Sequence, residues 1–167
     1  KEKLKEFKEI YNKNRYEVIH NHSSEEKLDL LKDALNTIQE IHKLGLTQGV
    51  ISNKPHNDVI YEVNEFDIAK YFSFIFGVHK EYSPKPNLDM FHLAVKTLDK
   101  GNIDKNKIIF IGDSEIDIKF ALNIGIRVIF IGRHKFIEKY DNYIKSGQIF
   151  NANHSHKKVL EILLSLI

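Results

Sequence analysis

The sequence predicts an α/β fold with a doubly wound, mostly parallel sheet, and three patterns lead to this prediction. Short runs rich in β-branched and aromatic residues recur along the chain. Helical patterns of apolar residues, spaced three and four apart, separate these runs. Two of the runs, 108–111 and 128–131, are continuously apolar, which is typical of strands that are covered on both faces. Alternating strands and helices favour parallel strands joined by crossover helices.

The individual elements follow from these patterns in chain order. Strands are predicted at 47–52, 73–76, 107–111 and 127–131, with a weaker one at 148–151. A helix between 31 and 41 ends before Gly45, and further helices follow Pro55 and Pro86. The helix that begins near Ser114 ends at Gly125, and a terminal helix covers 159–166.

Composition excludes several classes of protein. The 167 residues contain no cysteine, which removes disulfide frameworks, thiolate zinc sites and cysteine nucleophiles. Lysine and arginine total 25 against 23 acidic residues, so the net charge of +2 gives no reason to expect nucleic acid or a membrane as partner. No apolar run is long enough to cross a bilayer. We therefore expect a soluble, cytoplasmic protein.

The pattern along the chain also divides it into two parts. We expect a separate helix at 1–22, followed by an α/β core at 23–167.

Candidate site residues follow the ends of the predicted strands, where ligands bind in open parallel sheets. Ser52 and Asn53 end the first strand, and their hydroxyl and amide groups suit an anion. Lys85 lies between two prolines, so its ammonium is held on a restricted backbone. Each residue also has a structural explanation, because Ser52 or Asn53 could cap the next helix and Lys85 could be a solvated loop residue.

Two carboxylates, Asp113 and Asp117, follow the strand at 107–111. If both face the cleft about 6 Å apart, their repulsion is roughly 3 kcal/mol at an effective dielectric constant of 20. A bound Mg²⁺ would relieve that repulsion, because it prefers oxygen ligands. The alternative is that both carboxylates only cap the following helix and complement its dipole.

The order and spacing of these motifs resemble the haloacid dehalogenase superfamily of phosphohydrolases, and most closely its phosphoglycolate phosphatase branch. The matching segments are Ser-Asn-Lys-Pro at 52–55, Lys-Pro at 85–86 and Gly-Asp-Ser-x-x-Asp at 112–117. The resemblance implies a Rossmann-like core and Mg²⁺ as cofactor. It also implies that Ser52 and the Asn53 amide bind phosphoryl oxygens, that Lys85 stabilises the phosphorylated intermediate, that Asp113 binds the metal, and that Asp117 anchors the metal shell directly or through water.

The sequence departs from this family in one respect. No Asp-x-Asp motif follows an apolar strand, although the family takes its nucleophile and general acid from such a motif on the central first strand. We therefore expect a gap between the strands ending at Ser52 and Ile111, filled by a missing N-terminal segment or a swapped strand. On this view residues 1–22 are the remnant of a helical cap, and the chain alone is inactive.

Two functions remain open from the sequence. The first is hydrolysis of a small phosphomonoester of the phosphoglycolate type, through an aspartyl-phosphate, by the intact parent protein. The second is a non-catalytic module of the same fold that serves partner binding or regulation. The four side chains Ser52, Lys85, Asp113 and Asp117 favour the enzyme, because a module freed from catalysis has no need of all of them.

Overall fold

The computed structural model describes residues 29–98, 103–133 and 137–167. The chain divides into two units, Lys1–Leu31 and Lys32–Ile167, and the description that follows concerns the second. The predicted helix at 1–22, and with it the boundary between 22 and 23, lies outside the described residues.

Strands and helices alternate along the second unit. Numbered over the described residues, they are α1 Ala34–Lys43, β1 Gly49–Pro55, α2 His56–Glu65, β2 Phe74–Val78, α3 Asp89–Thr97, β3 Ile109–Gly112, α4 Glu115–Ile124, β4 Arg127–Phe130, α5 Asp141–Lys145, β5 Ile149–Asn151 and α6 His156–Leu166. All five strands lie where the sequence predicts them. The short helix α5 and the single 3₁₀ turns at Ala69–Tyr71, Lys105–Lys107 and Glu138–Tyr140 have no counterpart in the predicted pattern.

All the strand pairs within the described residues are parallel. β1 pairs with β2, and β4 lies between β3 and β5. Helices cover both faces of the three-stranded part, as alternate residues of β4 demonstrate. Val128 and Phe130 pack in the cluster that contains α4, whereas Ile129 packs in the cluster that contains α1 and α6. The predicted α/β class with a doubly wound parallel sheet is therefore confirmed.

Burial is greatest at β4 and α4. Val128, Ile129 and Phe130 of β4 are fully buried, and so are Ile118 and Phe120 of α4. Gly125 ends α4 in the left-handed conformation, with φ of 82°, which explains why the helix stops at a glycine. A firmly packed strand and helix thus fix the position of the loop between β3 and α4.

The sheet is interrupted between β1 and β3. In the described part of the chain no strand pairing joins them, and an apolar cavity of about 460 Å³ lies between residues of the two strands. Ile111 of β3 is 40% exposed, although its apolar run predicts burial on both faces. The difference arises because, as far as the described residues go, β3 pairs with β4 alone and its other edge has no neighbour. This gap is the one expected from the sequence.

Among the described helices, none combines the length and the apolar character needed to cross a membrane.

Candidate active site

A pocket of about 260 Å³ opens where β1 and β3 end. Its lining residues come from the end of β1, the segment before α3, and the loop that enters α4. They are Ser52, Asn53, Lys54, Lys85, Asp113, Ser114, Ile116 and Asp117. All five candidate residues from the sequence are among them, although up to 65 positions separate Ser52 from Asp117. The parallel topology explains the convergence, because carboxyl ends of parallel strands meet at one edge of the sheet.

The end of β1 bulges away from β2, and this presents its polar residues to the pocket. Pairing is regular from Gly49 to Ile51 and shifts before it resumes at Pro55. Within the bulge, the Ser52 Oγ accepts a hydrogen bond from the Lys54 amide at 3.1 Å. Since the hydroxyl is used there as an acceptor, its own hydrogen is free to point toward an anion in the pocket.

The Lys85 ammonium is almost buried and bridges the interrupted sheet. Its Nζ donates to the carbonyl oxygen of Ile51 at 2.8 Å and to Oδ1 of Asp117 at 2.7 Å, with 9% of the side chain exposed. It also lies 5.1 Å from the centre of the Phe110 ring, a cation–π contact. An ammonium has three N–H donors, so one remains for an acceptor in the pocket.

Asp117 links the lysine to the start of α4. While Oδ1 accepts from Lys85, Oδ2 accepts from the backbone amides of Asp113 and Ser114, at 3.2 and 3.0 Å, and from the Ser114 hydroxyl at 2.6 Å. The Ser114 hydroxyl in turn accepts from the Asp117 amide, which completes a capping box. The capping role that the sequence left open for Asp117 is therefore realised, together with an ion pair that the sequence alone did not reveal.

These contacts also set the protonation of Asp117. Burial by itself would raise the pKa of this carboxyl, but the charge of Lys85 and the hydrogen bonds from Lys85 and Ser114 outweigh it. The pKa therefore lies below its ordinary value. Asp117 stays ionised at neutral pH and is compensated by Lys85.

Asp113 is placed differently from Asp117. It is exposed and lines the pocket, and within the described residues no hydrogen bond or ion pair occupies its carboxylate. The described residues contain no cluster of three or more histidine, cysteine, aspartate or glutamate side chains that could hold a metal ion. One free carboxylate nevertheless fits Mg²⁺, which commonly takes one or two protein carboxylates together with water and substrate phosphate. Asp117 differs, because its Oδ2 accepts three hydrogen bonds and its Oδ1 accepts one from Lys85, so Oδ1 is the oxygen that retains a lone pair for a further contact.

Two glycines allow the backbone to pack closely around these carboxylates. A Cβ on Gly112 would overlap the Asp117 side chain, and one on Gly132 would overlap the carbonyl oxygen of Asp113. Glycine at both positions is therefore required by close approach rather than by an unusual φ. No packing role was predicted from the sequence for these two glycines. A usable signal was present, since a glycine directly follows the apolar run in each of the neighbouring strands β3 and β4.

Two further contacts at the pocket were also missed. The side-chain amide of Asn53 bonds to both backbone groups of Lys85. Lys54 forms an ion pair with Glu62 of α2, at 2.7 and 2.5 Å to the two carboxylate oxygens. No sequence pattern predicts the first contact, because it joins the end of β1 to a segment 32 positions further along the chain.

The sequence of this chain is similar to those of known proteins. The sequence model for haloacid dehalogenase-like hydrolases matches residues 1–131. The phosphoglycolate phosphatases of Salmonella paratyphi A and Escherichia coli K12 are each 31% identical to the chain over 102 residues. That segment is 61% of this chain but only 39% of each relative, so the chain spans well under half of the relatives it matches.

Solved structures with the same fold include a protein of Lactobacillus delbrueckii subsp. bulgaricus that is provisionally named a phosphoglycolate phosphatase. It is 27% identical, with a TM-score of 0.67 over 80% of this chain and 53% of its own. A Had-superfamily hydrolase from Ehrlichia chaffeensis has the same TM-score at 19% identity, over 87% of this chain and 62% of its own, and its likeness bears on the fold alone. Because the family's sequence model covers most of the chain and the fold agrees, this chain belongs to the haloacid dehalogenase-like hydrolase family.

Proposed function

We propose that the protein containing this chain hydrolyses a small phosphomonoester of the phosphoglycolate type. The observation that supports this most directly is the convergence of a hydroxyl, an ammonium and a free carboxylate, from Ser52, Lys85 and Asp113, around one pocket. At about 260 Å³ the pocket is smaller than the roughly 300–1,000 Å³ of sites for drug-sized ligands, which suits a small metabolite. The names of the curated relatives support the substrate class.

In this proposal the described residues bind the phosphoryl group. The Ser52 hydroxyl and the Asn53 backbone amide donate to its oxygens, and Lys85 donates its remaining N–H. These donors are fixed before substrate arrives, because Lys85 is already held by Ile51 and Asp117. Preorganised donors aimed at developing negative charge account for much of the catalysis in phosphoryl transfer.

Asp113 is the residue of this chain that we propose as a Mg²⁺ ligand. When bound, the ion would neutralise part of the phosphate charge and orient the phosphoryl group. We assign Asp117 a role in addition to the one implied by the family resemblance. It holds the Lys85 ammonium and the start of α4 in place, and any contribution of Asp117 to the metal shell would come from Oδ1, directly or through water.

Covalent catalysis needs an aspartate that this chain's sequence does not supply in the expected motif. We propose that a parallel strand enters the gap between β1 and β3 and ends in that aspartate. Its carboxylate oxygen would attack phosphorus as the ester P–O bond breaks, and the second aspartate of the same motif would donate a proton to the leaving alkoxide. Water would then hydrolyse the aspartyl-phosphate to inorganic phosphate and restore the carboxylate. Lys85 lies beside the gap and would stabilise the negative charge.

The apolar cavity supports the proposed strand. It contacts Gly49 and Ile51 of β1 and Ile109 and Phe110 of β3, so an inserted strand would find backbone partners on both sides and apolar cover. Hydrogen exchange on the 167-residue chain tests whether the gap is open. Amides of β1 and β3 that bond to neither β2 nor β4 should exchange far faster than those of β4. Equal protection would mean that the gap is closed and would refute the inserted strand. If the gap is open in the 167-residue chain, the oligomeric state of the intact protein distinguishes the two sources of the strand. A monomer indicates a strand of the same polypeptide, and a larger assembly indicates a strand swapped between copies.

The activity is tested with p-nitrophenyl phosphate and the intact protein, with Mg²⁺ and with EDTA. We expect metal-dependent turnover that Asp113→Asn and Lys85→Met each reduce by at least about 100-fold, the usual scale for one electrostatic contact in a transition state. Asp141→Asn is the matched control, because this exposed carboxylate also lies near the start of a helix, and its ion pair among the described residues is with exposed Lys145.

Metal-independent turnover, or full activity in Asp113→Asn, would contradict the proposed roles. Residues 1–167 alone should show no turnover while still binding inorganic phosphate in calorimetry. If the intact protein also lacks activity and yet binds phosphate or a protein partner, the non-catalytic module is the better description. The cytoplasmic location expected from the sequence remains a prediction.

A further inference from the structure

The side chain of Asn53 connects the end of β1 to the backbone of Lys85. Its Oδ1 accepts from the Lys85 amide at 2.7 Å, and its Nδ2 donates to the Lys85 carbonyl oxygen at 3.0 Å. An asparagine amide presents an acceptor and a donor side by side, so it pairs with a residue's two backbone groups as a neighbouring strand would. The end of β1 and the segment before α3, 32 positions apart, are thereby joined at the pocket.

This contact holds the lysine at one end of its flexible side chain. The ammonium at the other end is fixed by Ile51 and Asp117. A lysine side chain otherwise has extensive rotamer freedom, so fixing only the ammonium would leave its backbone free to shift relative to Ser52. With the backbone fixed as well, the distance between the Lys85 ammonium and the Ser52 hydroxyl is set by the fold.

We propose that the Asn53 side chain is a positioning residue that acts through Lys85. The side-chain oxygen and one of the two side-chain N–H groups of Asn53 are engaged by Lys85, and the group that we propose for phosphate binding is the Asn53 backbone amide. The consequence for phosphate binding rests on the proposed function, whereas the effect on the Lys85 ammonium follows from the contacts alone.

Three variants of the 167-residue chain test this role. Asn53→Ala removes both bonds to Lys85. Asn53→Asp keeps an acceptor for the Lys85 amide but places a second oxygen against the Lys85 carbonyl. Asn123→Ala is the matched control, because the exposed Asn123 donates from α4 to the carbonyl oxygen of Pro86, one residue further on, at 3.3 Å.

The first measurement is the ¹H–¹⁵N spectrum of lysine ammonium groups. It gives the rate at which the hydrogens of the Lys85 ammonium exchange with water. We expect Asn53→Ala to raise this rate about tenfold, Asn53→Asp to raise it less, and Asn123→Ala to leave it unchanged. The second measurement is calorimetric titration with inorganic phosphate, whose Kd should rise about tenfold in Asn53→Ala and stay unchanged in Asn123→Ala. Urea denaturation of each variant records global stability separately.

An unchanged Lys85 signal in a folded Asn53→Ala would overturn the positioning role. So would equal changes of that signal in Asn53→Ala and Asn123→Ala, since these would reflect a general loosening of the loop. If wild type binds no phosphate but the Lys85 signal responds as expected, the proposed function fails while the positioning role stands. If wild type binds phosphate and the Lys85 signal does not respond, the positioning role fails alone.

Discussion

Asp117→Asn is the substitution for which the structure allows the most definite prediction. The carboxylate and the Lys85 ammonium are 2.7 Å apart, with 7% and 9% of their side chains exposed. At that distance two unit charges attract by about 6 kcal/mol at an effective dielectric constant of 20, and desolvation offsets part of this. An amide has only one acceptor oxygen, so one of its N–H groups would face either Lys85 or the donors of Ser114.

We expect Asp117→Asn to lower the free energy of unfolding by about 3 kcal/mol, at the lower end of values for a broken buried pair. For a unit of this size, that corresponds to a fall in Tm of roughly 10 °C. Urea denaturation and calorimetry at pH 7 measure the two quantities. Glu115→Gln is the control in the same helical turn, because the partners of Glu115, Lys119 and Lys139, are more than half exposed. Its effect should be small.

Acid titration gives an independent check on the same carboxylate. Because the pKa of Asp117 is lowered in the folded state, its contribution is fully present above the unfolded value of about 3.9 and is lost as pH falls through the folded pKa. Wild type should therefore lose more stability below pH 4 than Asp117→Asn does. The reasoning is refuted if Asp117→Asn costs no more than Glu115→Gln at pH 7, or if the acid profiles of wild type and Asp117→Asn coincide.

Three further predictions follow from the packing. Gly112→Ala should destabilise the fold by about 2 kcal/mol and weaken phosphate binding, because the new methyl group overlaps Asp117, which holds the pocket lysine. Denaturation measures the stability and calorimetry measures the phosphate affinity. A loss of stability with unchanged affinity would contradict this prediction. Gly125→Ala should cost roughly 1 kcal/mol through its φ of 82° and leave phosphate affinity intact, since nothing lies within 4 Å of the new atom; a change in affinity would count against it. Burial lowers the pKa of His156 below 6.5, despite an opposing effect of Asp33, so the free energy of unfolding should fall as pH drops from about 6.5 through the folded pKa. His156→Gln should therefore flatten the dependence of Tm on pH between pH 7 and 5. If that dependence is as steep in His156→Gln as in wild type, titration of His156 is not its cause.

The regular elements could be predicted because their signals are local. The continuous apolar run at 128–131 becomes the fully buried β4, and Gly125 ends α4 as its position indicates. Exposure of Ile111 could not be predicted from its own run, because burial of a strand residue depends on which neighbours pair with its edges. In the part of the chain that the structure describes, β3 has one such neighbour, β4.

For the candidate site, the sequence predicted which residues take part and that they lie together at one edge of the sheet. Ser52, Lys85 and Asp113 follow strand ends or a proline-bounded turn, and parallel topology brings those positions to one edge. It did not supply the difference between the two aspartates. Both carboxylates lie within five positions after the same strand, yet Asp117 is buried against Lys85 and Asp113 is exposed.

The sequence by itself thus determined the alternation of strands and helices, the family, and the set of polar side chains around the pocket, since periodicity and spacing are properties of the chain. Only the tertiary structure decided how those side chains pair. The Asn53 and Asp117 contacts with Lys85 each span 32 positions, and a hydrogen bond forms only when two groups approach within about 3 Å at a suitable angle. That approach depends on the bulge in β1 and on glycine at position 112, which lets Asp117 lie against the backbone.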